Sequence, residues 1–143
     1  MRAVVCEALA EAGIRGKPII VERTHAIADG ASALREIRTR HPEVTAIVCN
    51  SDVLAIGALA EAKRMGLRVP GDLSITGHDD QEFAGLTEPA LTTIAVPAEE
   101  MGVRAAEALL EATRDGRRLS PKGVELPTRL VIRGSTGKPR GRR

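Results

Sequence analysis

Aromatic side chains are almost absent. The 143 residues contain no Trp, no Tyr and a single Phe, Phe83. Sites for sugars and nucleobases commonly use aromatic faces, so a complete site of that kind is not expected from this chain alone. Cysteine is scarce too. Cys6 falls in a predicted helix and Cys49 at a predicted strand end, which favours two buried or half-buried thiols over a disulfide. No apolar run approaches the roughly 20 residues that span a bilayer, and Met1-Arg2 leads into a helical pattern instead of a signal-peptide core. A cytoplasmic setting with no membrane partner is the expectation. Charge of one sign is also lacking: 21 Lys and Arg against 19 Asp and Glu leave a net +2, too little for a nucleic-acid surface. Much of the excess sits in Lys138, Arg140, Arg142 and Arg143, and the Pro/Gly-interrupted stretch 137–143 is expected to be a disordered basic tail.

The signatures of common enzymes are missing as well. There is no His-Glu-x-x-His, no Cys-x-x-Cys, no Gly-x-Ser-x-Gly elbow and no Gly-rich phosphate loop. His78, Asp79, Asp80 and Glu82 offer metal-type donors, with His25 and His41 elsewhere, but consecutive residues rarely ligate one metal together. No catalytic residue, metal or cofactor is expected.

What is present is an alternation of helical and extended patterns. Val4, Val5, Ala8, Leu9 and Ala12 recur at helical spacing, and Gly13 ends that helix. Pro18-Ile19-Ile20-Val21 reads as a short buried strand. Asp29 or Ser32 opens a second helix carrying Ala33, Leu34 and Ile37, which closes at His41-Pro42 because a residue before proline avoids helical geometry. Thr45 to Cys49 reads as a strand, Asp52 to Met65 as a helix, Leu73 to Gly77 and Leu91 to Val96 as strands, and residues 98–114 as a helix. Strands separated by single helices pair in parallel through right-handed crossovers. The expected fold class is therefore α/β, with a parallel βαβαβ unit over 17–77 and helices on both faces. The run Val124 to Arg133, broken at Pro127, departs from this alternation and reads as a strand bending between two bodies.

Polarity switches at two strand ends. Cys49-Asn50-Ser51-Asp52 follows one strand and His78-Asp79-Asp80 the next, and parallel packing brings both clusters to the edge where open α/β sheets place ligands. Asn50, Ser51 and Asp52 suit helix capping, and Asp79 and Asp80 suit a solvated turn. Together they also supply donors and acceptors converging on a polyhydroxylated ligand. On the intervening helix, Leu54 and Ala58 form one apolar stripe while Ile56, Leu59 and Ala60 form another; one stripe covers the sheet and the second needs other cover or a partner.

The run NSDVLAIGALAEAKRMGLRVPGDLSITGHDD, then PALTTIAVPAEEMGVRAAEALL and LPTRLVIRGST, resembles the sugar-sensing domain of the lactose/galactose-repressor (LacI/GalR) transcription regulators. The resemblance covers residues 2–136. It implies one lobe, the second, of a type I periplasmic-binding-protein-like fold, with 98–127 belonging to or crossing into a first lobe that this chain does not contain. It also implies a small-molecule effector, a sugar or relative, contacted by Asp79 and by Ser51 or Asn50 beside Asp52. A homodimer through Ile56, Leu59 and Ala60 follows too, with DNA contact only through a headpiece absent here. A transporter-linked periplasmic sugar-binding protein, which shares the fold, is the alternative. Two positions depart from the family. His78 stands where it usually has Phe or Tyr. Met1, Val4 and Val5 stand where it has an Arg-x-x-Gly-aromatic pattern, leaving the ligand-clamping arginine absent or supplied by Arg2.

Overall fold

Ile47 and Ile75 lie opposite each other in a parallel pair of strands, β1 (Ala46–Val48) and β2 (Ser74–Thr76), joined by the helix α3 (Asp52–Arg64). This computed structural model describes residues 2–14, 18–115 and 123–139. The other elements are α1 (Arg2–Glu11), α2 (Ile27–Arg40), a 3₁₀ turn (Glu82–Gly85), β3 (Thr93–Ala95), α4 (Ala98–Asp115) and β4 (Arg129–Val131). β3 and β4 pair antiparallel, with Ile94 opposite Leu130. Parallel bridges from Thr76 to Thr92 and from Asp79 to Ala95 stitch the end of β2 to β3. The strands thus run β1, β2, β3, β4 across the molecule.

The predicted helix and strand types recur, with one exception. Pro18–Val21 forms no strand. A strand needs a ladder partner, and a groove of about 490 Å³ lies between residues 18–23 and the end of β1 at Asn50. The expected βαβαβ unit is therefore realised as its second half, β1-α3-β2. The second helix begins at Ile27, before either predicted opener, because Asp29 works from inside the first turn: its carboxylate accepts from the Ala26 N–H at 3.4 Å and from the Thr24 hydroxyl. The extended run 124–133 pairs only over Arg129–Val131. Both cysteines are free; Cys49 is half-buried as expected, whereas Cys6 is exposed.

The core is aliphatic and small-residue rich, as a chain with one Phe requires. Leu34 from α2, Ala55, Ala58, Leu59 and Ala62 from α3, Leu73 and Ile75 around β2, Ala84 and Leu91 form one buried cluster. Helices α2 and α3 approach closely because glycine stands at both contacts. A Cβ on Gly30 would lie 2.0 Å from the Leu54 carbonyl oxygen, and one on Gly57 would lie 1.9 Å from that of Ile27. At the other end Ser135, wholly buried, fastens the chain's return to the sheet: its hydroxyl donates to the Ile75 carbonyl at 2.6 Å and accepts from the Thr92 N–H at 2.8 Å. Gly137, expected in the tail, is held by Ser74 through its N–H at 3.2 Å. Residues 140–143 of the expected tail lie outside the described residues.

Candidate functional site

The two polar clusters do meet, and Asp52 is what joins them. As the first residue of α3 it is fully buried. Its N–H donates to the His78 carbonyl at 2.8 Å, its Oδ1 accepts from the Thr93 hydroxyl at 2.6 Å, and its Oδ2 accepts from the Gln81 N–H at 2.8 Å. One carboxylate thus holds the start of α3, the loop after β2 and β3 in register. Its negative charge also sits at the positive end of the α3 dipole. Gly77 makes room for it, since a Cβ there would lie 2.1 Å from Asp52 Oδ1. Ser51, also buried, is the N-cap of α3, accepting from the Leu54 N–H at 3.3 Å. Of the three residues suited to capping, Ser51 alone caps α3, the Asp52 carboxylate being turned to Thr93 and Gln81; neither Ser51 nor Asp52 is left open to solvent.

Past Gly77 the backbone enters an unusual conformation. Asp79 has φ 110° and Asp80 has φ 53°, both in the left-handed region that non-glycine residues seldom occupy. The surroundings hold it there. The Asp79 N–H donates to the Ile94 carbonyl at 2.9 Å and Asp80 is fixed through its side chain, where Oδ1 accepts from Arg133 at 2.7 Å. Arg133 is itself placed by bonds from its guanidinium to the Leu91 carbonyl and from its N–H to the Thr92 hydroxyl, each 2.9 Å. His78 Nδ1 lies 2.8 Å from Asp79 Oδ1, so the imidazole orients the carboxylate beside it. Asp79 and His78 remain partly exposed.

A cavity of about 540 Å³ opens at this edge. It is lined by Asp79, Asp80, Gln81 and Glu82 from the loop, Val96 and Pro97 after β3, and Ala98, Glu99 and Glu100 at the start of α4. Asn50 is exposed but lines the other groove, with Pro18–Arg23 and Leu54. Of the five residues singled out from sequence, Asp79 lines the cavity, His78 orients it, Asp52 and Ser51 are buried behind the loop and line no part of it, and Asn50 faces elsewhere. The side chain of Arg2 lies outside the described residues.

Sequence reasoning did not single out Arg133, Thr93 or Gln81. Arg133 carried a readable signal, an arginine ending a β pattern and therefore able to reach the carboxylates of a neighbouring strand end. Gln81 acts through its backbone N–H, which no side-chain pattern reveals. Below the site, burial and the nearby Asp52 carboxylate push the Cys49 thiol up to about 12, which keeps it protonated and unreactive. On α3, Ile56 is half-buried and Ala60 exposed, but Leu59, grouped with them on the second apolar stripe, is buried in the core. Among the described residues no group of three His, Cys, Asp or Glu is placed to hold a metal ion.

The family of periplasmic binding protein-like domains matches residues 1–136. The HTH-type transcriptional repressor CytR of Escherichia coli (strain K12) is 39% identical over 131 residues, covering 91% of this chain and 38% of the repressor. The HTH-type transcriptional regulator GntR of the same organism is 33% identical over 129 residues, covering 90% of this chain and 39% of the regulator. Among solved structures, the complex of the transcriptional regulator CelR with cellobiose superposes with a TM-score of 0.84 at 32% identity, over 90% of this chain and 39% of that one. This chain therefore spans about two fifths of the length of these relatives.

Proposed function

The chain belongs to the periplasmic-binding-protein-like family represented by LacI/GalR-type transcription regulators, and from that membership we propose that it is the second, effector-sensing lobe of such a regulator. In this reading it holds one side of a sugar or related polyhydroxylated molecule at the cavity beside β2 and β3. The single observation that carries the reading is Asp79: a partly exposed carboxylate on a backbone held at φ 110°, oriented by His78 and lining a 540 Å³ cavity. An ionised carboxylate takes two hydrogen bonds from adjacent hydroxyls, and the fixed backbone avoids part of the ordering cost of binding. Asp52 and Ser51 position the loop. Asn50 contributes only if the ligand reaches the groove beside β1.

The cavity is open and no aromatic group lines it, so the ligand's second face belongs to another lobe. The start of α4 lies at the cavity, and α4 leads the chain toward that lobe. In this reading DNA contact belongs to a headpiece outside these residues, the protein acts in the cytoplasm without catalysing a reaction, and the lobe pairs with a second copy through the outer side of α3. The regulator relatives favour this over a transporter-linked binding protein.

Heteronuclear NMR of the labelled chain with millimolar cellobiose tests the assignment. Weak binding with shifts at the amides of Asp79, Asp80 and Gln81 is expected, and Asp79→Ala should remove them. Losing a hydrogen bond to a charged group costs about 1.5–3 kcal/mol, a tenfold or greater loss of affinity. Shifts confined to other regions, or a response unchanged in Asp79→Ala, overturn the site. Tight binding by the isolated chain overturns the half-cavity argument.

A further inference from the structure

His78 and Asp79 meet because the main chain around them is pinned. The Gly77 N–H donates to the Thr92 carbonyl and the Asp79 N–H to the Ile94 carbonyl, each at 2.9 Å, while the His78 carbonyl accepts from the Asp52 N–H at 2.8 Å. The two side chains are left to each other, with His78 Nδ1 2.8 Å from Asp79 Oδ1. An ionised carboxylate can only accept, so the neutral ring carries its proton on Nδ1. A hydrocarbon ring at this position could pack against the carboxylate but could not hold it by a donated proton.

That bond takes one lone pair of Oδ1 and leaves Oδ2 and the full negative charge for a ligand hydroxyl. Imidazole is the side chain that ordinarily changes charge between pH 5 and 8, whereas carboxylates ordinarily stay ionised there. A second proton on the ring places a positive charge within hydrogen-bond distance of Asp79. The bond between the two strengthens, and the carboxylate's pull on a neutral hydroxyl weakens.

The charged groups around the pair come from the loop itself and from three helical elements. Asp52, at the start of α3, is buried and its carboxylate is committed to Thr93 and Gln81. Asp80, next along the loop, is paired at 2.7 Å with Arg133, which follows β4. Glu82 from the 3₁₀ turn and Glu99 and Glu100 from α4 line the cavity with Asp79, and that lining contains no Lys or Arg. A protonated His78 therefore adds positive charge beside a cavity whose own charged groups are carboxylates.

We propose that His78 is the positioning residue of the Asp79 site and couples it to protons. Neutral, it aims the carboxylate at a polyhydroxylated ligand; protonated, it competes with that ligand for the same carboxylate. Affinity thus falls as the pH falls from 8 to 5.5, and ligand binding at intermediate pH displaces protons from the ring. This inference rests on reading Asp79 as the ligand's acceptor, and the two fail separately.

Nitrogen-15 spectra of the ligand-free chain test the pair directly. At pH 8 the His78 proton is expected on Nδ1, and Asp79→Ala should release the ring to a mixture of both tautomers. A proton on Nε2 in the wild-type chain overturns the proposal without any ligand. Titration with cellobiose at pH 8 and at pH 5.5 tests the coupling. The dissociation constant should rise by about threefold or more at the lower pH, a modest change because half-exposed pairs are screened by solvent. His78→Phe should bind less tightly than the wild type at pH 8 and lose the pH dependence. The amide of His78→Asn sets an N–H close to the place of Nδ1 but does not titrate, so this variant should recover affinity lost in His78→Phe and still show no pH dependence. A role in packing alone gives the reverse order, with Phe equal to Asn or better, and overturns the proposal. Binding that survives Asp79→Ala overturns the reading of the cavity. Binding that needs Asp79, yet ignores pH in the wild type or keeps its pH dependence in His78→Asn, overturns this inference alone.

Discussion

Asp52 is the residue on which the candidate site depends most, although it is out of a ligand's reach. Truncation to Ala would leave the Thr93 hydroxyl and the Gln81 N–H without their acceptor in a buried setting, where each unsatisfied group costs about 1–3 kcal/mol. Asp52→Ala should therefore destabilise by about 3 kcal/mol in urea unfolding. Asp52→Asn should cost less, since its carbonyl can face Gln81 while Thr93 turns its hydroxyl to accept. Equal losses for the two variants would show that the effect is packing and not hydrogen bonding. Cysteine chemistry offers a second check at this scale. A thiol raised to about 12 does not supply thiolate at neutral pH, whereas Cys6 is exposed. A disulfide reagent at pH 8 should label Cys6 in the native protein and reach Cys49 only after denaturation. Prompt labelling of both thiols would mean that the core beside β1 opens readily.

Among the elements, α2 and α3 form the tightest contact, and its electrostatics set an acid limit. Glu61 is nearly buried; Arg64 in its own helix binds both carboxylate oxygens, at 2.6 and 2.9 Å, and Arg35 reaches across from α2 at 3.0 Å. The hydrogen bonds from Arg64, then that from Arg35, hold its pKa at about 2 against the opposing effect of burial. Arg68 holds Asp72 at about 2 in the turn before β2 in the same way. Folding lowers both values, so the unfolded chain binds protons first as the pH falls. The stabilisation is complete above about pH 5 and is lost progressively toward pH 2. Glu61→Gln should lower stability at pH 7 and flatten the acid limb of a urea midpoint against pH profile; an unchanged slope sinks the assignment. Much at this scale was legible in advance. The 3.6-residue spacing marked α3 and α4 closely. Pro18–Val21 was not legible, because a β-branched run declares a strand's preference and not whether a partner edge lies beside it. Leu59 was misgrouped for a related reason: helical spacing separates faces but cannot say that the core wraps far enough round α3 to cover it. Asp79 was legible as a polarity switch after a buried strand, whereas Asp52's burial was not, because a cap and a buried latch share one sequence pattern.

At the scale of the whole molecule, two helices of the described residues carry apolar surface outside the core. Met101, Val103, Leu109 and Leu110 of α4 are each at least half exposed, and on α3 the half-buried Ile56 and exposed Ala60 lie outside the core. Exposed apolar patches of this kind mark contacts with other bodies. The two surfaces lie on different elements, so they can be separated experimentally. If α3 carries the two-fold contact between copies, an arginine at Ile56 places two like charges across the axis, because a two-fold interface meets itself. Ile56→Arg should then convert a dimer to a monomer in sedimentation velocity with helical circular dichroism retained, since the outer side of α3 can accept a longer side chain without disturbing Leu59 or Ala55. The α4 face gives the opposite pattern. Replacing Met101 and Leu109 with Glu should leave the sedimentation coefficient unchanged and lower binding of a hydrophobic dye if, as proposed, that face meets another lobe and not a copy of itself. A wild-type chain that sediments as a monomer rejects the α3 contact. A dimer broken by the α4 substitutions and not by Ile56→Arg would move the interface to α4 and leave α3 with an ordinary solvated side.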